Sequence, residues 1–329
     1  MSLKIKKKRY PKNSAGALMT DRVPVTVFDA SILDIERYLK RKKSELESIN
    51  YIYVVDKADT LKGAVSIKEV FRQGKNKKIA DFIEGKLITV SPYSDGERAA
   101  NLALKHNIKS VPVVNKEGKF LGVVLSDTIL EIAYHAAYED LSRLAGVENA
   151  SLETNFSALS TIKSFKNRLP WLVLGMLGGF AMSKTIDYFE GTLAQNIILA
   201  SFIPLIVYMA AAVQTQIGFF IVRDLAFNPK IKFFVYSWRQ LKVVTLLGIG
   251  ISALVFLLAY LFYQDLVVVT ALSIAIFLTI LSSIFTGVFI PWIFHRLKFD
   301  PASASGPIAT ILQDLISIII YLLVAKSLL

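Results

Sequence analysis

Cysteine is absent from all 329 residues, which excludes disulfides and thiolate metal sites and leaves the redox compartment open. Histidine is nearly absent too. His106, His135 and His295 lie far apart, without the spacing of a metal site. No glycine-rich loop follows a predicted strand to hold a phosphate, and no nucleophile stands beside a base. The chain is therefore not read as an enzyme. Charge of either sign is scarce after residue 168, where nine Lys and Arg and six Asp and Glu remain. The first 168 residues hold 29 of the 38 basic groups and 20 of the 26 acidic ones. A basic, water-soluble half thus precedes an apolar half composed like a membrane domain.

Residues 1–16 form a lysine-rich tail with no apolar core behind it. This predicts a cytoplasmic tail near anionic headgroups and not a cleaved secretory signal. Five apolar runs approach or exceed the roughly 20 residues that a span requires. They cover approximately Leu169–Tyr188, Leu193–Val222, Leu241–Tyr263, Val267–Phe294 and Ser303–Leu328, within a membrane domain of residues 169–329. Positive charge alternates between their ends. Lys163, Lys166 and Arg168 precede the first run, Arg223, Lys230, Lys232, Arg239 and Lys242 cluster between the second and third, and Arg296 and Lys298 follow the fourth. The other two loops offer Asp187, Glu190 and Asp265, with Lys184 at one edge. The positive-inside rule then predicts a multi-pass protein of the plasma (inner) membrane, soluble half in the cytoplasm and C-terminus outside. Because the basic excess serves topology and the tail, it is no signal for nucleic acid.

Polar residues inside the runs fall at helical spacing. Ser303, Gly306, Thr310, Asp314, Ser317 and Tyr321 line one face of the fifth, beside Gln313. Thr279, Ser282, Ser283 and Thr286 do the same in the fourth, and Gln214, Thr215 and Gln216 interrupt the second. Hydroxyls and amides in such places often bond helix to helix. A carboxylate differs, since it costs about 2.5–3.5 kcal/mol at a helix centre on translocon scales and seldom faces lipid. With no cation in the runs away from their ends to pair it, Asp314 is predicted to face an ion path. Pro204 and Pro291, each in a Phe-Ile-Pro triplet, are placed to kink their helices and free carbonyls.

The soluble half contains a repeat. Residues 49–71 align without a gap to residues 108–130, at an offset of 59. Each copy reads as strand, polar turn, second strand after Gly63 or Gly122, then helix, preceded by a short strand (Val25–Phe28; Leu87–Val90) and an amphipathic helix (Ser31–Lys42; Asp95–His106). Two such α+β units, 17–75 and 76–138, resemble a tandem of cystathionine-β-synthase (CBS) domains. That resemblance implies an adenine nucleotide between the units, held by Ser66 and Glu69 in the first copy and Ser126 and Asp127 in the second, or else a dimerising module without a ligand. Residues 139–168 follow, with Phe156, Leu159, Ile162, Phe165 and Leu169 recurring every three or four positions among basic residues. They predict an amphipathic connecting helix at the membrane surface.

Several stretches, taken in order, resemble the MgtE family of magnesium channels and transporters. They are Glu139 to Val147, Arg168-Leu169-Pro170-Trp171-Leu172, Phe189-Glu190, Phe202-Ile203-Pro204, and Asp300-Pro301-Ala302-Ser303-Ala304-Ser305-Gly306-Pro307 followed by Asp314. The resemblance implies a homodimer in the bilayer whose pore lies between two all-α membrane domains. In it, Asp314, Thr310 and Gly306 would hold a hydrated Mg²⁺, and Gln216, Gln313, Ser317 and Thr286 would line the path. Mg²⁺ suits such a site, being a hard ion that prefers oxygen and gives up water reluctantly. The chain departs from the family in two places. Where the family's second span reads Gly-Gly-Asn-x-Gly-x-Gln, this one reads Ala210-Ala211-Ala212-Val213-Gln214-Thr215-Gln216. The family's acidic N-terminal domain has no counterpart before the CBS pair, so closure by internal Mg²⁺ is expected to be weak or absent. A Na⁺-coupled Mg²⁺ exporter and a CBS-based membrane sensor without transport are the alternatives.

Overall fold

The computed structural model describes residues 10–83, 87–147 and 161–328, and the chain divides into two units, Met1–Ala136 and Ala137–Leu329. Most of the basic tail, and Phe156 and Leu159 of the expected connecting helix, lie outside the described residues.

The first unit opens with α1 (Ala15–Leu18), β1 (Val25–Val27), α2 (Ile32–Lys42), β2 (Tyr51–Val55), β3 (Leu61–Ser66) and α3 (Ile67–Arg72). The second copy supplies α4 (Gly96–His106), β4 (Ser110–Val114), β5 (Phe120–Leu125) and α5 (Ser126–Leu144), the last continuing into the second unit. Local chemistry sets the ends. Ser31 and Asp34 close a capping box at the start of α2, and Lys40, Arg41 and Lys42 sit at its negative end. Asp95 caps α4 by accepting from Glu97 N at 3.0 Å.

The repeat seen in the sequence is a repeat in space. Tyr51 faces Ser66 as Ser110 faces Leu125, and each hairpin shifts register at the equivalent step, Val54/Val55 and Val113/Val114. The copies differ at the third strand. β1 pairs in parallel with β2, but the expected strand Leu87–Val90 contributes one parallel bridge, Val90 to Val113. Pro112 accounts for the difference. Tyr53 N donates to Pro24 O at 2.9 Å in the first copy, and the matching position of the second is Pro112, which has no N–H to donate. The two copies share a core, in which Val55, Leu61 and Tyr53 meet Phe120 and Val123. The Tyr53 and Phe120 rings stack at 5.1 Å, and the Tyr53 hydroxyl hydrogen-bonds Ser110 Oγ at 2.5 Å.

Five helices of the second unit are long and apolar enough to cross a membrane: Thr161–Tyr188, Ile197–Phe227, Phe233–Tyr263, Leu266–Arg296 and Pro301–Leu328. They are called the first to fifth spans below. The first is longer than expected, because Thr161–Arg168 of the predicted connecting helix continues into it. No described residue of it is buried, and it packs mainly on the fifth span. The fourth is the hub, against the second, third and fifth, around Leu199, Ile206, Leu272, Ile276, Ile280 and Leu322. Tyr321 donates to Leu199 O at 2.7 Å, tying the end of the fifth span to the start of the second. Pro204 is accommodated within a continuous helix, whereas Pro291 follows a π-helical segment, Phe285–Phe289.

Candidate ion site in the fifth span

The fifth span starts irregularly. Asp300 caps its first turn, accepting from Ala302 N at 3.1 Å and Ser303 N at 3.2 Å. A π-helical segment, Ala304–Ile308, follows, with Gly306 out of helical geometry at φ −78° and ψ −121°. Pro307 has no N–H to return to the preceding turn, so the winding loosens there. Gly306 also permits a close approach. A Cβ at that position would stand 2.7 Å from Leu144 O and 2.9 Å from Arg143 O, at the end of α5. Charge holds the same contact: Arg143 Nη1 donates to Asp300 Oδ2 at 2.6 Å, and Arg143 Nη2 pairs with Glu139. Burial, and then the nearby Asp300, push the Asp140 carboxyl up to about 6, while Arg143 pulls the other way.

From Ala309 the span is regular, and Thr310 and Asp314 fall four residues apart on one face, with Gly306 four residues before Thr310 in the irregular turn. Thr310 Oγ1 lies 3.2 Å from Gly306 O and 3.4 Å from Gln214 Oε1, both acceptors. Asp314 is half-buried, and its Oδ1 is buried with no hydrogen-bond partner among the described residues. The donors gathered here are carboxylate, hydroxyl and carbonyl oxygens, the set that suits a hard divalent cation. Among the described residues no three His, Cys, Asp or Glu gather into a group that could hold a metal ion, so the oxygens at this face are not a cage built by one chain.

The other expected path-lining residues sit differently. Gln313, Thr286 and Ser317 are wholly buried and bonded to one another. Gln313 Nε2 donates to Ser317 Oγ and Ser282 Oγ, each at 3.0 Å, and to Thr279 O at 3.3 Å, while Thr286 Oγ1 donates to Gln313 Oε1. In this structure they join the fourth and fifth spans and face no aqueous space. Gln216 lies on the exposed face of the second span, and it is Gln214 that turns inward. The only signal for Gln214 in the sequence is an amide deep in an apolar run, at a position where the family pattern has glycine.

The nucleotide candidates occupy helix starts. Ser66 Oγ caps α3 by accepting from Glu69 N at 3.2 Å, and Glu69 itself takes a bond from Gln73. Ser126 Oγ donates to Asp127 Oδ1 at 3.1 Å on the exposed first turn of α5. No hydrogen bond or ion pair joins the two sets among the described residues.

Known proteins match both halves. The MgtE divalent cation transporter family matches residues 203–324, and the CBS domain family matches residues 15–75 and 79–135. The magnesium transporter MgtE of Bacillus subtilis is 28% identical over 97% of this chain and 70% of its own length. The solved cytosolic domain of the Mg²⁺ channel MgtE in complex with ATP is 30% identical over 37% of this chain and 50% of that one, at a TM-score of 0.37. The magnesium transporter MgtE of Enterococcus faecalis is 30% identical over 96% of this chain and 69% of its own. A pair of CBS domains followed by five membrane-length helices, matched nearly end to end at this level, places the chain in the MgtE family of divalent cation transporters.

Proposed function

We propose that this protein carries Mg²⁺ across the plasma membrane through a pore on the two-fold axis of a homodimer, where both copies of Asp314 grip the hydrated ion. One observation supports the reading above the others: a carboxylate oxygen, Asp314 Oδ1, is buried in an apolar span with no hydrogen-bond partner among the described residues. An unpaired carboxylate at that depth is costly and has no use in packing. It has a use beside Thr310 and Gly306, where a second carboxylate and an ion's waters complete the site. Binding through water is strong enough to select the ion and weak enough to release it. The soluble module is basic overall, so Mg²⁺ has little carboxylate repulsion to screen within it, and its closure by internal Mg²⁺ is expected to be weak.

Mg²⁺ uptake by proteoliposomes tests the proposal. Asp314→Ala is expected to lower flux by about two orders of magnitude, with dimer yield and helix content unchanged; such a loss corresponds to about 2.7 kcal/mol. Flux retained in the variant would end the proposal. The altered run Ala210–Ala212 favours a second reading, coupled export, in which Mg²⁺ flux follows an imposed Na⁺ gradient; a channel ignores that gradient. An adenine nucleotide at Ser66, Glu69, Ser126 and Asp127 belongs to the same proposal. Calorimetric titration of ATP into the native protein and Ser66→Ala tests it.

A further inference from the structure

We infer that Gln214 is the positioning residue that sets ion preference at the Asp314 site, a role that rests on the transport reading above. Gln214 is wholly buried although it carries an amide, and that amide reaches both sides of the loosened turn in the fifth span. Nε2 donates to Ser305 O at 3.2 Å, one residue before Gly306, and Oε1 accepts from Thr310 Oγ1 at 3.4 Å.

The consequence is one of proton direction. The Thr310 hydroxyl has one hydrogen and two acceptors within reach, Gln214 Oε1 and, at 3.2 Å, Gly306 O. Its hydrogen is thus held toward the second span and the turn, which leaves the oxygen's lone pairs for the side shared with Asp314. A wall that accepts hydrogen bonds suits the outward-pointing hydrogens of an ion's water shell. A second observation marks the same region as polar. Ser305 is only 4% exposed, its Oγ has no hydrogen-bond partner among the described residues, and that Oγ lies 3.6 Å from where a Cβ on Gly218 would stand. Without the Gln214 amide, Ser305 O loses its side-chain donor and the Thr310 hydrogen is less constrained. Mg²⁺ keeps its water more tenaciously than Mn²⁺ and so depends more on such a wall.

Proteoliposome flux of Mg²⁺ and of Mn²⁺, each measured for half-saturation and maximal rate, tests the inference on Gln214→Met, Thr310→Val and the double variant. Gln214→Met is expected to raise half-saturation for Mg²⁺ by about three- to tenfold, the worth of one interhelical hydrogen bond, and to move Mn²⁺ less. Thr310→Val is expected to do the same, and the double variant to be no worse than either. Equal shifts for both ions, no shift at all, or effects that multiply in the double variant overturn the inference. Should Gln214→Met fail to fold, Thr310→Val alone still decides it, since an unchanged Mg²⁺ to Mn²⁺ ratio there is equally fatal. Asp314→Ala is run alongside. Retained flux in that variant sinks the transport reading, whereas lost flux with an unchanged ratio in Gln214→Met sinks only this one.

Discussion

Gln313 and Asp314 are neighbours in the chain, and one helical step of about 100° separates their environments. Gln313 turns toward the fourth span, where three hydroxyls and a backbone carbonyl satisfy its amide. Asp314 turns to a half-buried face where its Oδ1 finds no donor among the described residues. Gln313→Leu is therefore expected to cost about 1–2 kcal/mol of stability, since interhelical bonds in membranes average about 0.6 and reach about 1.7 kcal/mol. Reversible unfolding in mixed micelles measures this. Ion preference should stay put, and a changed Mg²⁺ to Mn²⁺ ratio would return Gln313 to the ion path. The sequence marks both residues as polar in an apolar run. It does not say which of the two is satisfied, because that depends on partners 27 to 34 residues distant.

Elements bring together what single residues do not. Of the two prolines read in the sequence as kinks, Pro204 lies in a continuous helix and Pro291 follows a π-helical segment, Phe285–Phe289. A second such segment, Ala304–Ile308, contains Pro307, which was not singled out as a kink from the sequence. That the two segments flank the second span is visible only in space. A Cβ on Gly287 would lie 2.9 Å from Ile217 Cβ and 3.1 Å from Gln214 O, so that crossing needs glycine. The end of α5 is the other such element, seated on Gly306 through Arg143 and Asp300. Asp140 gives this seat a pH dependence. Its carboxyl, normally near 3.8, is raised to about 6, so the folded chain holds the proton more tightly than the unfolded one between those values. The contribution to stability is complete below about 4 and is lost as pH rises through 6. Unfolding of the detergent-solubilised protein across pH 4 to 7 should show it, with Asp140→Asn gaining on the native chain as pH rises. A constant difference between the two across that range would contradict the assignment.

At the scale of the whole molecule, orientation is the testable property, and the absence of cysteine makes the test clean. A single cysteine at Asn228 or Lys298 is expected to react with an impermeant maleimide only from the cytoplasmic side. One at Glu190 or Gln264 should react only from outside. The reverse pattern, or labelling of both sets from one side, would overturn the topology. The second copy proposed at Asp314 belongs to this scale as well, and cross-linking through a single cysteine introduced on the fifth span is expected to join two chains if that proposal holds.

The tandem CBS repeat, the five membrane-length helices and the family were all legible in the order of residues. Each rests on sums over many positions, on charge at loop ends, apolar runs and strand alternation, and such sums survive local exceptions. Even so, Pro112 reduced one expected strand to a bridge through a single missing N–H. Tertiary structure alone decided that Gln214 faces inward and Gln216 outward, and that Gln313 is tied while Asp314 Oδ1 has no hydrogen-bond partner among the described residues. Those outcomes turn on rotations of about 100° and on hydrogen bonds of a few ångströms between distant segments, which no periodicity in a single run encodes.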